Sequence, residues 1–258
     1  MRLKLPGGTA FYDRSGRGVP LVLCHAFPLD RRMWSAVVPE LHADADVVTV
    51  DLCGLGESGS AGLPPSIDGA ADHVVALCDA LGFERAVVGG VSMGGYVALA
   101  VAARHPGRLR GLLLASTRAG ADTAEQRAAR DAAIARIVAE GTRAYIGELV
   151  PRLVAPASIA ARQMALALGG LQSTTAVAGA LAALRDRPDR TATLPAIAVP
   201  TTVLVGSEDT VTPPDEARAL AAAIPSATLT QLPRVGHLSA LESTVEFAAA
   251  ARALLRQL

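Results

Sequence analysis

Short aliphatic runs alternate with longer alanine-rich stretches along most of the chain. Five of these runs predict buried strands, and each ends near a Gly, His, Asp or Ser: residues 21–23, 47–50, 86–88, 112–114 and 202–205. Between the second and third runs, apolar residues recur at helical spacing from Ile67 to Leu81, and Gly82 signals the end of that helix. Strands that alternate with helices predict right-handed crossovers and a mostly parallel sheet covered on both faces.

The pattern changes between about Arg118 and Arg187. This segment has no β-branched run bounded by turns, only helical composition that is interrupted by Gly141, Pro151, Pro156 and the Gly169-Gly170 pair. We interpret it as a helical insertion between two strands of the sheet. The predicted organisation is therefore a core formed by residues 1–117 and 188–258, with a helical cap at residues 118–187.

The charge balance favours a small molecule as the partner. Lys and Arg number 24, as do Asp and Glu, so the chain lacks the positive surplus expected of a protein that binds nucleic acid or an anionic membrane. No apolar stretch approaches the roughly 20 residues of a membrane span, and Pro6 interrupts the N-terminal segment before a signal-peptide core could form. We expect a cytoplasmic protein, and its oligomeric state stays open.

The sequence predicts neither a metal nor a cofactor. The cysteines, Cys24, Cys53 and Cys78, are odd in number and lack Cys-x-x-Cys spacing, so neither a disulfide framework nor a zinc site is indicated. Residues 54–59 do match the Gly-x-Gly-x-x-Gly pattern of dinucleotide-binding proteins. However, a proline-containing loop at residues 61–65 stands where the phosphate-binding helix would have to begin.

The motif with the clearest chemistry is Gly-Val-Ser-Met-Gly at residues 90–94. It follows the predicted strand 86–88 directly and precedes a helical stretch, 96–100. A serine on such a sharp strand-to-helix turn, the nucleophile elbow, has a strained backbone and needs small neighbours. Gly90 and Gly94 meet this requirement, so Ser92 is the predicted nucleophile.

A serine nucleophile needs a histidine base and a carboxylate that orients it. Asp209 comes just after the predicted strand 202–205, and His237 lies in a loop between a short predicted strand, 228–232, and a helix that begins near Leu241. The order Ser, Asp, His is that of the α/β hydrolases. For the acid, the neighbouring Glu208 and the region 116–122 stay open as alternatives to Asp209.

The loop after the first predicted strand can supply part of an oxyanion hole. We assign the hole to the backbone N–H groups of Phe27 and Met93, by their position after a strand and after the nucleophile. We interpret His25 as a structural residue that holds this loop by hydrogen bonds. The remaining histidines are interpreted as exposed helix or loop residues: His42, His73 and His105.

In these motifs the chain resembles the α/β-hydrolase fold family, which implies an eight-stranded, mostly parallel sheet flanked by helices. Residues 51–58 resemble the family's Asp-x-x-Gly-x-Gly-x-Ser turn. Residues 206–214 and 237–242 are similar to the 3-oxoadipate enol-lactonase subgroup. Residues 25–30 with Met33-Trp34 resemble the arylesterases and cofactor-free perhydrolases.

The resemblance implies a serine hydrolase that cleaves a small carboxylic ester or lactone through an acyl-enzyme. Ser92 argues against haloalkane dehalogenases and epoxide hydrolases, which carry Asp at the elbow. Three alternatives keep the same fold: a perhydrolase or haloperoxidase-type activity, a carbon–carbon bond hydrolase and a non-catalytic ligand-binding receptor. Motif position suggests five residues that contact the substrate: Phe27, Met33, Trp34, Tyr96 and Tyr145.

Overall fold

A computed structural model describes residues 1–6, 8–52, 54–58 and 65–258. Cys53, Gly59 of the dinucleotide pattern and residues 61–64 of the proline-containing loop lie outside these ranges. The strands are β1 (Arg2–Leu5), β2 (Gly8–Gly16), β3 (Val19–Cys24), β4 (Ala45–Val50), β5 (Ala86–Val91), β6 (Leu109–Ala115), β7 (Thr201–Gly206) and β8 (Ala227–Leu232).

The eight strands form one sheet in the order β1-β2-β4-β3-β5-β6-β7-β8. β2 is antiparallel to both β1 and β4, and from β4 to β8 all neighbouring strands are parallel. The predicted mostly parallel sheet is confirmed, and each of the five aliphatic runs lies within one of its strands. Strand β2 is half-exposed and antiparallel, and for that reason it lacks the continuous apolar signal of the buried strands.

Helices cover both faces of the sheet. They are α1 (Val37–Leu41), α2 (Ile67–Ala80), α3 (Met93–Arg104), α8 (Pro214–Ala223), α9 (Ser239–Glu242) and α10 (Thr244–Leu255). Side chains of β3 alternate between two apolar layers: Val22 belongs to the layer that contains α2, α3 and α8, and Leu21 to the layer that contains α1 and α10. This alternation is the direct result of the two-residue period of a strand.

Four helices lie between β6 and β7, in the segment interpreted as an insertion. They are α4 (Ala124–Glu140), α5 (Thr142–Leu153), α6 (Ile159–Gly170) and α7 (Thr174–Arg185). α4 packs on α7, and α5 packs on α6. The division into a core and a cap at residues 118 and 187 stays a prediction. Among the described residues, no single helix is both long and apolar enough to span a membrane; α6 and α7 pass that test only as a pair, bent by 107°.

His73 corrects one expectation from the sequence. It was expected to be exposed, but it is 4% exposed on the buried side of α2, and neither ring nitrogen has a hydrogen-bond partner among the described residues. Burial lowers the pKa of this imidazole. Its position three residues after the buried Ala70 could have revealed it, because residues three apart share a helix face.

A buried carboxylate connects the two ends of the helical segment. The side chain of Asp122, just before α4, pairs with Arg187, just after α7, at 2.6 Å, and with Arg118 at 3.0 Å. Arg130 donates to its second oxygen. Burial favours the neutral acid, but the hydrogen bonds and charges of Arg130 and Arg187 outweigh it and lower the pKa of Asp122.

We expect Asp122→Asn to lower the free energy of unfolding by about 3 kcal/mol, because removing one partner of a buried ion pair leaves the other charges uncompensated. The pKa of Asp122 is lower in the folded protein than in the unfolded chain, so its ionised form stabilises the fold. This stabilisation is fully present above the ordinary carboxyl pKa and is lost as the pH falls through the lowered pKa. Urea unfolding at neutral and at acidic pH measures both effects.

Asp131→Asn is the matched control for this prediction. Asp131 is an exposed carboxylate on α4 that also pairs with an arginine, Arg185. Exposed pairs contribute about 1 kcal/mol or less, so this variant should unfold almost as the wild type does. Equal losses in the two variants would contradict the role assigned to Asp122.

Candidate active site

Ser92 occupies a strained turn between β5 and α3. Its backbone has φ 55° and ψ −111°, a region that non-glycine residues rarely adopt, and α3 begins at the next residue. A Cβ at Gly90 would lie 2.5 Å from the carbonyl oxygen of Cys24 in β3, and one at Gly94 would lie 2.0 Å from the same oxygen. Both positions therefore require glycine, for the reason that the sequence predicted.

Two hydrogen bonds connect the backbone of Ser92 to β6 and to the residues that follow it. Its N–H donates to the carbonyl oxygen of Ala115 at 2.9 Å, and the hydroxyl of Thr117 donates to its carbonyl oxygen at 3.1 Å. Ser92 is partly exposed, whereas the residues on either side of it are buried. The turn thus presents one side chain at the carboxyl edge of the sheet, where parallel-sheet proteins bind ligands.

Asp209 and His237 form a buried pair at the same edge. Nδ1 of His237 lies 2.9 Å from Oδ2 of Asp209 and 3.0 Å from Oδ1, and both side chains are almost fully buried. Asp209 follows β7 and His237 follows β8, so neighbouring parallel strands bring the two residues together. The alternative acid Glu208 is exposed, and the carboxylate of the 116–122 region, Asp122, is occupied by arginines.

Thr212 is a third member of this cluster that the sequence analysis missed. Its N–H donates to Oδ1 of Asp209 at 2.9 Å, and its hydroxyl donates to Oδ2 at 2.8 Å and lies 3.2 Å from Nδ1 of His237. Burial alone would raise the pKa of Asp209, but the hydrogen bond and charge of His237 and the bonds from Thr212 outweigh it and lower that pKa. A threonine three residues after a candidate acid is the local signal that could have identified it.

The loop after β3 lies beside the elbow. Among the described residues, no acceptor binds the N–H groups of Phe27 or Met93, the two donors assigned to the oxyanion hole. His25 holds this loop: its Nε2 accepts from the N–H of Leu52 at 2.9 Å, and its Nδ1 lies 3.0 Å from the carbonyl oxygen of Ala26. Burial lowers the pKa of His25, in keeping with a neutral structural imidazole.

A cavity of about 670 Å³ lies between the helical segment and the carboxyl edge of the sheet, where Tyr96 and Thr212 line it; Ser92 and His237 do not. Of the five residues expected to contact the substrate, Tyr96 and Tyr145 line it, and Phe27, Met33 and Trp34 do not. Met33 and Trp34 are fully buried: the Trp34 ring packs 5.6 Å from that of Phe247, and the sulfur of Met33 accepts a hydrogen bond from the Ala26 N–H. Both residues belong to the apolar layer that contains α1 and α10, so they are core residues.

Glu242 connects the His237 loop to the helical segment. Its Oε2 accepts hydrogen bonds from Gly236 N–H at 3.0 Å, from Ala155 N–H at 2.8 Å and from the Ser158 hydroxyl at 2.9 Å, and its Oε1 accepts one from Leu238 N–H at 3.1 Å. The N–H of His237 donates to the carbonyl oxygen of Leu153 at 3.0 Å. The loop that carries the histidine is therefore bonded on both sides of His237 to residues 153–158.

The described residues contain no group of three or more His, Cys, Asp or Glu side chains arranged to hold a metal ion. The sheet order and a serine elbow after β5 define the class of α/β hydrolases.

A profile of the alpha/beta hydrolase fold family matches residues 19–244. The chain therefore belongs to this family, and it is an enzyme of the α/β-hydrolase superfamily.

Similar proteins of known sequence or structure include an acyltransferase, an esterase and a lactonase. The chain is 31% identical, over 93% of its length, to the dihydrolipoyllysine-residue acetyltransferase component of the acetoin cleaving system of Pseudomonas putida, and the alignment spans 64% of that protein. A thermophilic esterase from Thermogutta terrifontis, solved with malate bound, is 35% identical with a TM-score of 0.96, and 100% of this chain and 98% of that one are covered. The enol-lactonase of Burkholderia xenovorans LB400 is 25% identical with a TM-score of 0.91, at 99% and 100% coverage.

We expect Glu242→Gln to lower kcat about tenfold with little change in KM. One amide oxygen cannot replace a carboxylate that accepts four hydrogen bonds, so the His237 loop should lose its fixed position while the cavity keeps its lining. Steady-state kinetics on a short-chain p-nitrophenyl ester measure the change.

Glu216→Gln, on the exposed side of α8, removes the same charge without touching the loop and should behave as the wild type. A rise in KM with unchanged kcat in Glu242→Gln would contradict a role in positioning His237.

Proposed function

We propose that the protein is a serine hydrolase that cleaves small carboxylic esters or lactones through an acyl-enzyme. The observation that carries this proposal is the combination of a strained, partly exposed Ser92 with a buried Asp209–His237 pair at the same edge of the sheet. The likeness to an esterase and to an enol-lactonase, each over nearly the whole chain, supports the same substrate class.

In the first step, Ser92 Oγ attacks the carbonyl carbon of the substrate while Nε2 of His237 takes the serine proton. Asp209 accepts the Nδ1–H bond, which keeps Nε2 free as the base and stabilises the imidazolium that forms. The N–H groups of Phe27 and Met93 donate to the carbonyl oxygen as it becomes negative. His237 then gives its proton to the leaving alkoxide, the C–O bond breaks, and Ser92 holds the acyl group.

In the second step, water replaces the alcohol. His237 takes a proton from a water molecule as the oxygen of that water attacks the acyl carbon. His237 then returns the proton to Ser92 Oγ as the carboxylic acid leaves. With a lactone, the alcohol released in the first step stays attached to the acyl group. The helices α4 to α7 act as a cap in this proposal, because their cavity adjoins the Asp209–His237 pair through Thr212.

We expect Ser92→Ala to lower kcat on p-nitrophenyl acetate by about a thousandfold or more, because the nucleophile is removed while the fold stays intact. Release of p-nitrophenolate measures activity, and far-UV circular dichroism and thermal unfolding check the fold. Unchanged turnover in a folded variant would refute the assignment of Ser92.

Asp209→Asn should lower kcat by about a hundredfold or more, because the amide can favour the wrong histidine tautomer. Glu208→Gln is the matched control: it removes a carboxylate one residue away that is exposed, and it should keep the wild-type rate. A loss below about tenfold in Asp209→Asn would point to another acid.

A further inference from the structure

Four arginines line the cavity beneath the helical segment. Arg118 follows β6, Arg130 and Arg136 lie on α4, and Arg152 lies on α5; Glu148 is the acidic residue among the lining side chains. The chain as a whole carries no net formal charge. The positive charge of this cavity is therefore a local concentration and does not reflect an overall basic composition.

Partners within the protein only partly neutralise these arginines. Asp122 is a single carboxylate shared by Arg118, Arg130 and Arg187. Arg136 pairs with Glu148 and Glu140, so it is compensated. Arg152 makes no ion pair within the described parts of the chain. The surplus charge thus lies at Arg152 and around the shared carboxylate of Asp122.

Arg118 also has one hydrogen-bond donor without an acceptor among the described residues. Its Nε is buried without a hydrogen-bond partner among the described residues, and its terminal nitrogen bonds to Asp122 at 3.0 Å and to the Gln126 amide oxygen at 2.8 Å. Tyr145 also lines the cavity; burial raises the pKa of its hydroxyl, and the positive charges of Arg130 and Arg152 act in the opposite direction.

This cavity adjoins the candidate active site through three lining residues. The Tyr96 N–H bonds to the carbonyl oxygen of Ser92, and the Thr212 hydroxyl bonds to Asp209. Arg118 follows Thr117 directly in the chain, and the Thr117 hydroxyl also bonds to the Ser92 carbonyl oxygen. These contacts place the arginine-lined space next to the elbow and the Asp209–His237 pair.

We propose that this cavity binds a carboxylate of the substrate, so that the enzyme prefers esters or lactones that carry a free carboxylate over neutral ones. The inference rests on the proposed hydrolase function. Guanidinium groups bind carboxylates with paired, charge-assisted hydrogen bonds, and such bonds are stronger where water is partly excluded. A neutral substrate would displace water from these arginines without replacing its hydrogen bonds.

The test compares two esters with acyl chains of equal carbon number. Mono-p-nitrophenyl adipate ends in a carboxylate, and p-nitrophenyl hexanoate ends in a methyl group. We expect kcat/KM to be about tenfold or more higher for the adipate ester, corresponding to about 1.4 kcal/mol. We also expect this advantage to shrink as salt is added, because screening weakens a partly exposed ion pair. A second pair, 4-acetoxybenzoate and 4-methylphenyl acetate, places the carboxylate on the leaving group, and a preference in either pair supports the proposal.

Arginine variants locate the preference. Arg152→Gln and Arg118→Gln should each raise KM for the charged ester about threefold to tenfold and leave the neutral ester within about twofold. Arg143→Gln is the matched control, since Arg143 is exposed on the same helix as Arg152 but does not line the cavity. Arg118 contacts Asp122, so its variant is also checked by thermal unfolding; Arg152 makes no such contact, and its variant gives the decisive result.

The outcomes separate this inference from the proposed function. Hydrolysis of both members of each pair at equal efficiency, or losses in Arg152→Gln that are the same for charged and neutral esters, would overturn the carboxylate site and leave the hydrolase function intact. Failure to hydrolyse any ester would refute the function instead. In that case calorimetric titration of the wild type with adipate decides the inference: binding that Arg152→Gln weakens and Arg143→Gln does not supports it, and no binding overturns it.

Discussion

The close approach of the elbow to strand β3 is the constraint on which the candidate site depends. The carbonyl oxygen of Cys24 lies so near the turn that no side chain fits at Gly90 or Gly94. This contact lets the chain reverse from β5 into α3 within one residue, and Ser92 takes up the strain as a positive φ. The same contact brings the loop after β3, with Phe27, beside the elbow. The predicted nucleophile and both predicted oxyanion donors thus depend on one close contact between the backbone of β3 and that of the elbow.

Two carboxylates, Asp122 and Glu242, fix the helical segment. Asp122 holds its two ends together through arginines from both, and Glu242 bonds its middle to the loop that carries His237. Each carboxylate accepts several hydrogen bonds, so each fixes backbone or side chains that are far apart in sequence. In consequence, the position of the helices over the site and the position of the histidine are not independent. A disturbance of the segment near residues 153–158 would be transmitted to His237 through its own backbone N–H.

The charged residues of this protein are unevenly distributed. The chain is neutral overall, yet the wall of the large cavity is rich in arginine. Sequence composition carried no sign of this local concentration of positive charge. The aromatic residues show a related contrast. Tyr96 and Tyr145 line the cavity, whereas Trp34 packs on Phe247 in the core.

The sequence by itself determined the buried strands, the mostly parallel sheet and the elbow, because each has a local signal: an aliphatic run, an alternation with helices, or a glycine at a crowded turn. It also named Asp209 as the candidate acid, with Glu208 and the region 116–122 left open, and the structure pairs Asp209 with His237. Tertiary structure alone decided the burial of Met33 and Trp34, the bonds of Glu242 to the helical segment, and the gathering of arginines from three elements around one cavity. These features join residues that are up to dozens of positions apart, and only the folded chain determines which of them come within hydrogen-bond or Coulomb range.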